Sequence, residues 1–143
     1  SKKEFKFNKA GFRIARPNKL SDVAKEHIDS YNDKDNYFFT IWIPLIGFNK
    51  KYSLKIYPKT HMLDHTKNIE KYNKKNSRLF KSDYLRRFNE KRFSLKKGNA
   101  IILNQNLIHG GAINNGSKTR ISIEIRIFNK KIFKKKELFR KNI

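Results

Sequence analysis

Apolar residues recur along this chain in strand-length runs, separated by short polar clusters rich in Asn, Gly, Lys and Pro, and that rhythm predicts a β-rich fold. Residues 11–15 read as a short strand that ends at the turn signal Arg16-Pro17-Asn18. Residues 23–29 can extend as a second strand, and residues 32–36 form a polar loop. The strongest strand is 37–45; its nearly continuous apolar character predicts burial on both faces. Residues 47–51 turn the chain into an alternating strand at 52–57, which Pro58 stops. A turn at Gly98-Asn99 leads into the apolar strand 100–103, the strand carrying His109 follows, and the chain turns again at 114–116. Residues 120–128 alternate cleanly, with Ile121, Ile123, Ile125 and Ile127 on one face and Arg120, Ser122, Glu124 and Arg126 on the other.

Between about 62 and 92 the pattern gives way to polar, Lys- and Asn-rich sequence, read as an insertion with a helical turn near Ser82-Asp83-Tyr84-Leu85 capped by Ser82. Residues 129–143 form a strongly basic tail after a domain at 1–128; Ile132, Phe133, Leu138 and Phe139 give it amphipathic character. Seven or eight short strands without regular helices point to an all-β sandwich or jelly roll, the cupin-like double-stranded β-helix.

At 143 residues the chain makes one domain, and without cysteine it has neither a disulfide framework nor a thiolate metal site. No run approaches the ~20 apolar residues of a membrane span and no signal peptide is read, so a cytoplasmic setting is expected. The net charge of +23 raises the question of a polyanion partner such as nucleic acid. Lysine greatly outnumbers arginine, however, and Asn, Ile, Phe and Tyr are abundant beside it. Those residues share A/T-rich codons, so base composition accounts for the charge better than selection for phosphate contacts, which leans on Arg. Nucleic acid is therefore not the favoured partner.

Three fragments carry candidate chemistry: His27-Ile28-Asp29, His109 within Leu107-Ile108-His109-Gly110, and Arg120-Ile121-Ser122. Residues i and i+2 of a strand face the same way, so His27 and Asp29 can offer a nitrogen and an oxygen to one metal, with His109 arriving from a distant strand. Two histidines and a carboxylate are the ligand set of non-haem iron(II) oxygenases, which keep positions open for oxygen and a co-substrate. The Arg120 fork can bind a carboxylate bidentately, and Ser122 faces the same way with a hydroxyl. A redox metal beside an anion clamp suits 2-oxoglutarate, which chelates iron at one end and presents a carboxylate at the other.

The run Ile41-Trp42-Ile43-Pro44-Leu45, then Pro58-Lys59-Thr60-His61, then Leu107-Ile108-His109-Gly110, Asn114 and Arg120 resembles the phytanoyl-CoA dioxygenase family, over residues 11–128. The ending from Thr119 to Arg126 is similar to subgroups found in carbohydrate and surface-polysaccharide gene clusters. Two positions differ: Lys59 stands in the glycine position of the family's P-G-S-H-like segment, and Gly98-Asn99 replaces its G-D turn. Family members also carry a longer N-terminal region that walls the pocket, whereas 26 residues precede His27 in a chain that begins at Ser1. The resemblance implies iron(II) held by His27, Asp29 and His109, with 2-oxoglutarate on Arg120 and Ser122 and Trp42 near the co-substrate. It implies a dioxygenase that uses O2 to hydroxylate a C–H bond of a small biosynthetic intermediate, such as a sugar or sugar derivative.

His61 and His65 have the i, i+4 spacing of a two-histidine metal face, but no third ligand is evident and Pro58 opposes a helix there. Arg126, six residues after Arg120, also matches the R-x-x-x-x-x-R ending of AlkB-type nucleic-acid oxygenases; its alternative is a salt bridge with Glu124 or with the site's own carboxylates. Arg16 either reaches the pocket or is a surface charge. Asn115-Gly116-Ser117 matches a glycosylation sequon but reads as a turn. The competing functions are therefore an AlkB-like enzyme, a non-catalytic basic nucleic-acid-binding module, and a barrel that binds metal without turnover.

Overall fold

The computed structural model describes residues 5–32, 37–71 and 78–129. Beyond β1 (Phe5–Ala15) the chain makes β2 (Phe38–Ile46), the short β3 (Lys55–Ile56), β4 (Ile69–Lys71), β5 (Arg78–Phe80), one helical turn α1 (Ser82–Leu85), β6 (Ile101–Asn104), β7 (His109–Gly110) and β8 (Arg120–Asn129). Four strands form an antiparallel sheet in the order β1-β8-β2-β6; β3 with β7 and β4 with β5 form two small antiparallel pairs. This is the mostly antiparallel, helix-poor architecture that the alternation predicts. The basic tail lies outside the described residues, from 130 onward, as do residues 72–77 of the insertion.

β2 is not buried on both faces. Phe38, Thr40, Trp42 and Pro44 are buried while Phe39, Ile41 and Ile43 are only half-buried, so one face packs inward and the other lies open. Pro44 sits next to a register irregularity against β8, beyond the stretch where β6 pairs, so its missing N–H leaves no ladder partner unmet. Register then decides which face of β8 turns inward. Ser122 lies opposite Pro44, Glu124 opposite Trp42 and Arg126 opposite Thr40, so the polar set of β8 joins the buried face of β2. The isoleucines of β8 line up instead with Phe12 and Ile14 of β1 and with Ile41 and Ile43 of β2 on the outer face. There Phe12 is 71% exposed, Ile14 57% and Ile102 of β6 67%, which makes the outer face a broad apolar surface.

Two apolar clusters stand behind the inner face. One joins Trp42, Leu54, Ile56 and Leu103. The other joins Ile28, Tyr57, Ile108, Phe80 and Tyr84, so the 62–92 insertion supplies core side chains rather than merely lying over the fold. Its helical turn forms as expected, but Ser82 is the first helical residue and Lys81 occupies the cap position without a capping side-chain bond. Residues 52–57 contribute only two residues to a strand, Lys55 and Ile56, which pair with Gly110 and His109; Tyr52 instead packs against glycine, where a Cβ on Gly116 would fall 2.1 Å from its ring. The turns at Gly47 and Gly98 both place glycine at positive φ, 87° and 88°.

Candidate metal centre

Residues 23–29 do not form the strand the pattern predicts. Leu20–Asp22 and Asp29–Asn32 are short 3-10 turns, and between them His27 makes a single antiparallel bridge with His109. The His27 amide donates to the His109 carbonyl at 2.8 Å, and the His109 amide donates back at 3.0 Å. That one bridge preserves the i, i+2 consequence. Ile28 and Ile108 turn into the core, while His27, Asp29 and His109 turn together to the other side. Close backbone approach is needed for this, and Gly110 and Gly111 provide it: a Cβ on Gly111 would sit 2.7 Å from the Ala24 nitrogen.

One ligand atom from each of His27, Asp29 and His109 lies within 4.8 Å of the others. His27 Nε2 is 3.8 Å from Asp29 Oδ1, and His109 Nε2 is 3.9 Å from Asp29 Oδ2. Both rings use the same local device. The Nδ1 of His27 lies 2.7 Å from the Lys25 carbonyl and that of His109 3.0 Å from the Leu107 carbonyl, each two residues back. A carbonyl only accepts, so both Nδ1 atoms donate and both Nε2 atoms are turned toward the carboxylate. That is the arrangement a metal-ligating histidine needs, with the other nitrogen already bonded. Burial, then the neighbouring His27, holds His109 below the usual histidine range despite the Asp29 charge. Burial alone would push the Asp29 carboxyl up, but His109, the Thr40 hydroxyl, Arg126 and His27 outweigh it and hold it low. Both shifts favour the forms that bind a divalent cation, an ionised Asp29 and a neutral His109, within a convergent donor set.

Arg120, Ser122 and Trp42 also reach the inner face. Arg120 is 4% exposed, its Nη1 donates to the Tyr52 carbonyl at 3.3 Å, and its guanidinium lies 5.7 Å from the Trp42 ring centroid. Burial lowers its pKa. Among the described residues no carboxylate stands within ion-pair distance of it. Arg120 Nε, Ser122 Oγ, Trp42 Nε1 and Ser53 Oγ are all buried without a hydrogen-bond partner. Buried polar atoms in native proteins are almost always paired, so these orphaned atoms are groups that a polar ligand could meet.

The other candidates separate clearly. Arg126 pairs with the site's own carboxylate, Nη2 to Asp29 Oδ1 at 2.9 Å, rather than with Glu124, which Arg13 takes at 2.9 Å. Arg16 binds Asp22 through Nε, Nη2 and its own amide, so it is a surface clamp on a tight loop. His65 is buried against Tyr84 Oη and the Asn106 carbonyl, while His61 is exposed in a 3-10 turn; the two do not share a metal site. Asn115-Gly116-Ser117 follows Asn114, whose buried amide binds the Ala15 and Lys118 carbonyls and so holds the turn into β8. Thr40, which donates to Asp29 Oδ2 at 2.6 Å, was not singled out by sequence. Its signal was there: a polar residue at the inward position of β2, two before Trp42. Arg92 carried no such signal, yet it binds the carbonyls of Lys51, Ser53 and Ile113 around Tyr52.

No family model matches the chain, and no curated protein does. Solved structures do share its fold. EvdO2 from Micromonospora carbonacea var. aurantiaca aligns at a TM-score of 0.70 and 14% identity, over 88% of this chain and 52% of its own. The non-heme alpha ketoglutarate dependent carbocyclase SnoK from nogalamycin biosynthesis aligns at 0.66 and 12%, over 87% and 50%. The epimerase SnoN, in complex with Fe3+, alpha ketoglutarate and nogalamycin RO, aligns at 0.66 and 14%, over 87% and 50%. The chain spans about half the length of these proteins.

Proposed function

We propose that this chain is the iron- and 2-oxoglutarate-binding part of a non-haem dioxygenase on a double-stranded β-helix, of the phytanoyl-CoA dioxygenase type, acting on a small biosynthetic intermediate. The observation that carries the reading is the convergence of two Nε2 atoms and a carboxylate, beside a buried guanidinium that has no carboxylate within ion-pair distance among the described residues. EvdO2 with 2-oxoglutarate and SnoN with Fe3+ and alpha ketoglutarate support it as neighbours in fold. A sugar or sugar derivative remains the favoured substrate class on the motif ending at Thr119 to Arg126.

His27, Asp29 and His109 would hold the metal, which when bound supplies oxygen activation coupled to decarboxylation of 2-oxoglutarate. The chain's own part is geometric and electrostatic. Arg120 offers its fork to the far carboxylate of the co-substrate, and Ser122 adds a hydroxyl on the same face. Trp42 forms a flat wall beneath the guanidinium. The Lys25 and Leu107 carbonyls hold the two imidazole rings through Nδ1, which leaves Nε2 of each ring turned toward the metal position.

Anaerobic titration of iron(II) and 2-oxoglutarate tests this, followed by the weak visible charge-transfer band of the chelate. A band in wild type that Asp29→Ala abolishes and Arg120→Ala weakens is expected. A folded, metal-free preparation that gives no band would remove the oxygenase reading and favour a basic binding module, with steeply salt-dependent nucleic-acid affinity indifferent to His27 and Asp29.

A further inference from the structure

Asp29, unlike the two histidines, is not held by a backbone bridge. It opens the 3-10 turn Asp29–Asn32 and takes no part in a strand ladder, whereas His27 and His109 are tied to each other through both backbone bonds. Something else must choose its rotamer. Both of its oxygens are engaged from the same place in the large sheet: Thr40 Oγ1 donates to Oδ2 at 2.6 Å and Arg126 Nη2 to Oδ1 at 2.9 Å. Thr40 and Arg126 are direct partners across the β2–β8 ladder. Thr40 is 3% exposed, and Arg126 is braced with its guanidinium 5.2 Å from the Phe38 ring centroid. A carboxylate has about four acceptor positions, so one bond to each oxygen holds the group from behind and leaves lone pairs for the histidine side.

We propose that the cross-strand pair Thr40–Arg126 is a positioning device for the Asp29 carboxylate, fixing it against His27 and His109 before any metal arrives. The inference rests on the metal-site reading and adds to it two residues that are not ligands. It makes the large sheet, rather than the 27–32 segment, the element that sets carboxylate geometry. Partners of this kind typically change metal affinity by about 10- to 100-fold when removed.

Cobalt(II) titration, read by affinity and by the visible d–d bands, tests it in Asp29→Ala, Thr40→Val, Thr40→Ser, Arg126→Met and Arg126→Lys beside wild type. Wild type is expected to bind and Asp29→Ala to fail. Thr40→Val and Arg126→Met should each weaken binding by about 10- to 100-fold and alter the bands, with Thr40→Ser close to wild type and Arg126→Lys intermediate. Charge alone predicts the opposite for Arg126→Met, since removing a cation favours a divalent ion. Tighter binding in that variant, or Thr40→Val matching wild type in affinity and bands, overturns the proposal while leaving the metal site standing. If Thr40→Val does not fold, Arg126→Met decides: it removes the single N–H bond to Asp29 Oδ1, and wild-type affinity and bands there overturn the proposal. A folded wild type that binds no cobalt(II) overturns the metal-site reading and this proposal together.

Discussion

His27 and His109 exchange both backbone hydrogen bonds, and their rings stand 4.5 Å apart at 51°. Residues 82 positions apart are thus brought together by one bridge, and that bridge exists because Gly110 and Gly111 let residues 23–26 lie against them. The Gly111 amide donates to the Ala24 carbonyl at 2.8 Å. Gly111→Ala puts a Cβ into the Ala24 backbone, which has no flexible end to move aside. It is expected to cost about 1–3 kcal/mol, the usual range for overpacking, and to weaken metal binding by parting the histidines. Denaturant melts of the metal-free protein and a metal titration check both effects.

Ser122 is wholly buried with an unpartnered hydroxyl, a cost of about 1–3 kcal/mol when nothing occupies the site. Ser122→Ala should therefore raise the thermal midpoint of the ligand-free protein while lowering its affinity for 2-oxoglutarate. Stability and affinity moving in opposite directions would mark Ser122 as a binding group; a loss of both would make it structural.

Lys59 adopts φ 68° and ψ −8°, a left-handed conformation that costs a residue bearing a Cβ roughly 1–2 kcal/mol. It occupies the position where the resembling motif has glycine. Lys59→Gly should relieve that strain and stabilise the fold by about 0.5–1 kcal/mol after the extra entropy of the unfolded chain is subtracted. Lys59→Ala keeps the strain and should give no such gain in a denaturant titration.

Burial lowers the His65 pKa, against weaker opposing contributions from the Thr60 and Asn106 backbone and from Asp64. A histidine held neutral in the fold contributes stability that is fully present above the unfolded value near 6.5 and is lost as pH falls toward the depressed folded value. The thermal midpoint should fall between about pH 7 and pH 5, and His65→Gln should flatten part of that slope. His109 is shifted in the same direction and adds to the slope. An unchanged slope in His65→Gln would show that His65 does not titrate in this window.

Phe12, Ile14 and Ile102 share the outer face of the large sheet with the β8 isoleucines, and all three are more than half exposed. The 143-residue chain should bind an apolar reporter dye in its native state and self-associate as concentration rises. Replacing Phe12, Ile14 and Ile102 with threonine, which keeps strand propensity, should reduce both and leave metal affinity unchanged. Dye binding that persists would locate the exposed apolar surface elsewhere.

Local terms could be read from the chain alone: the alternation and the turns, because they act between neighbours, and which residue types could ligate a metal; strand ends could not, since 23–29 forms no strand, 52–57 keeps two strand residues and β1 begins at Phe5. The alternation of residues 120–128 was legible in full, as were the turns at Gly47 and Gly98. What the pattern could not decide was which side of that strand is the inside. An isoleucine row opposite an arginine–serine–glutamate row normally reads as core against solvent, yet here the polar row faces inward, because pairing with β2 puts Thr40, Trp42 and Pro44 on the same side. Tertiary structure also decided that 23–29 would not be a strand: against the short β7, His109 and Gly110, it makes one bridge at His27 and one further bond from the Gly111 amide to the Ala24 carbonyl. His27, Asp29 and His109 were readable as donors because their chemistry is carried by each residue alone. Arg126 was readable only as one of several possible pairings, and its joint grip with Thr40 on Asp29 was not readable, because it depends on register between two strands 86 positions apart, and register is set by the whole sheet.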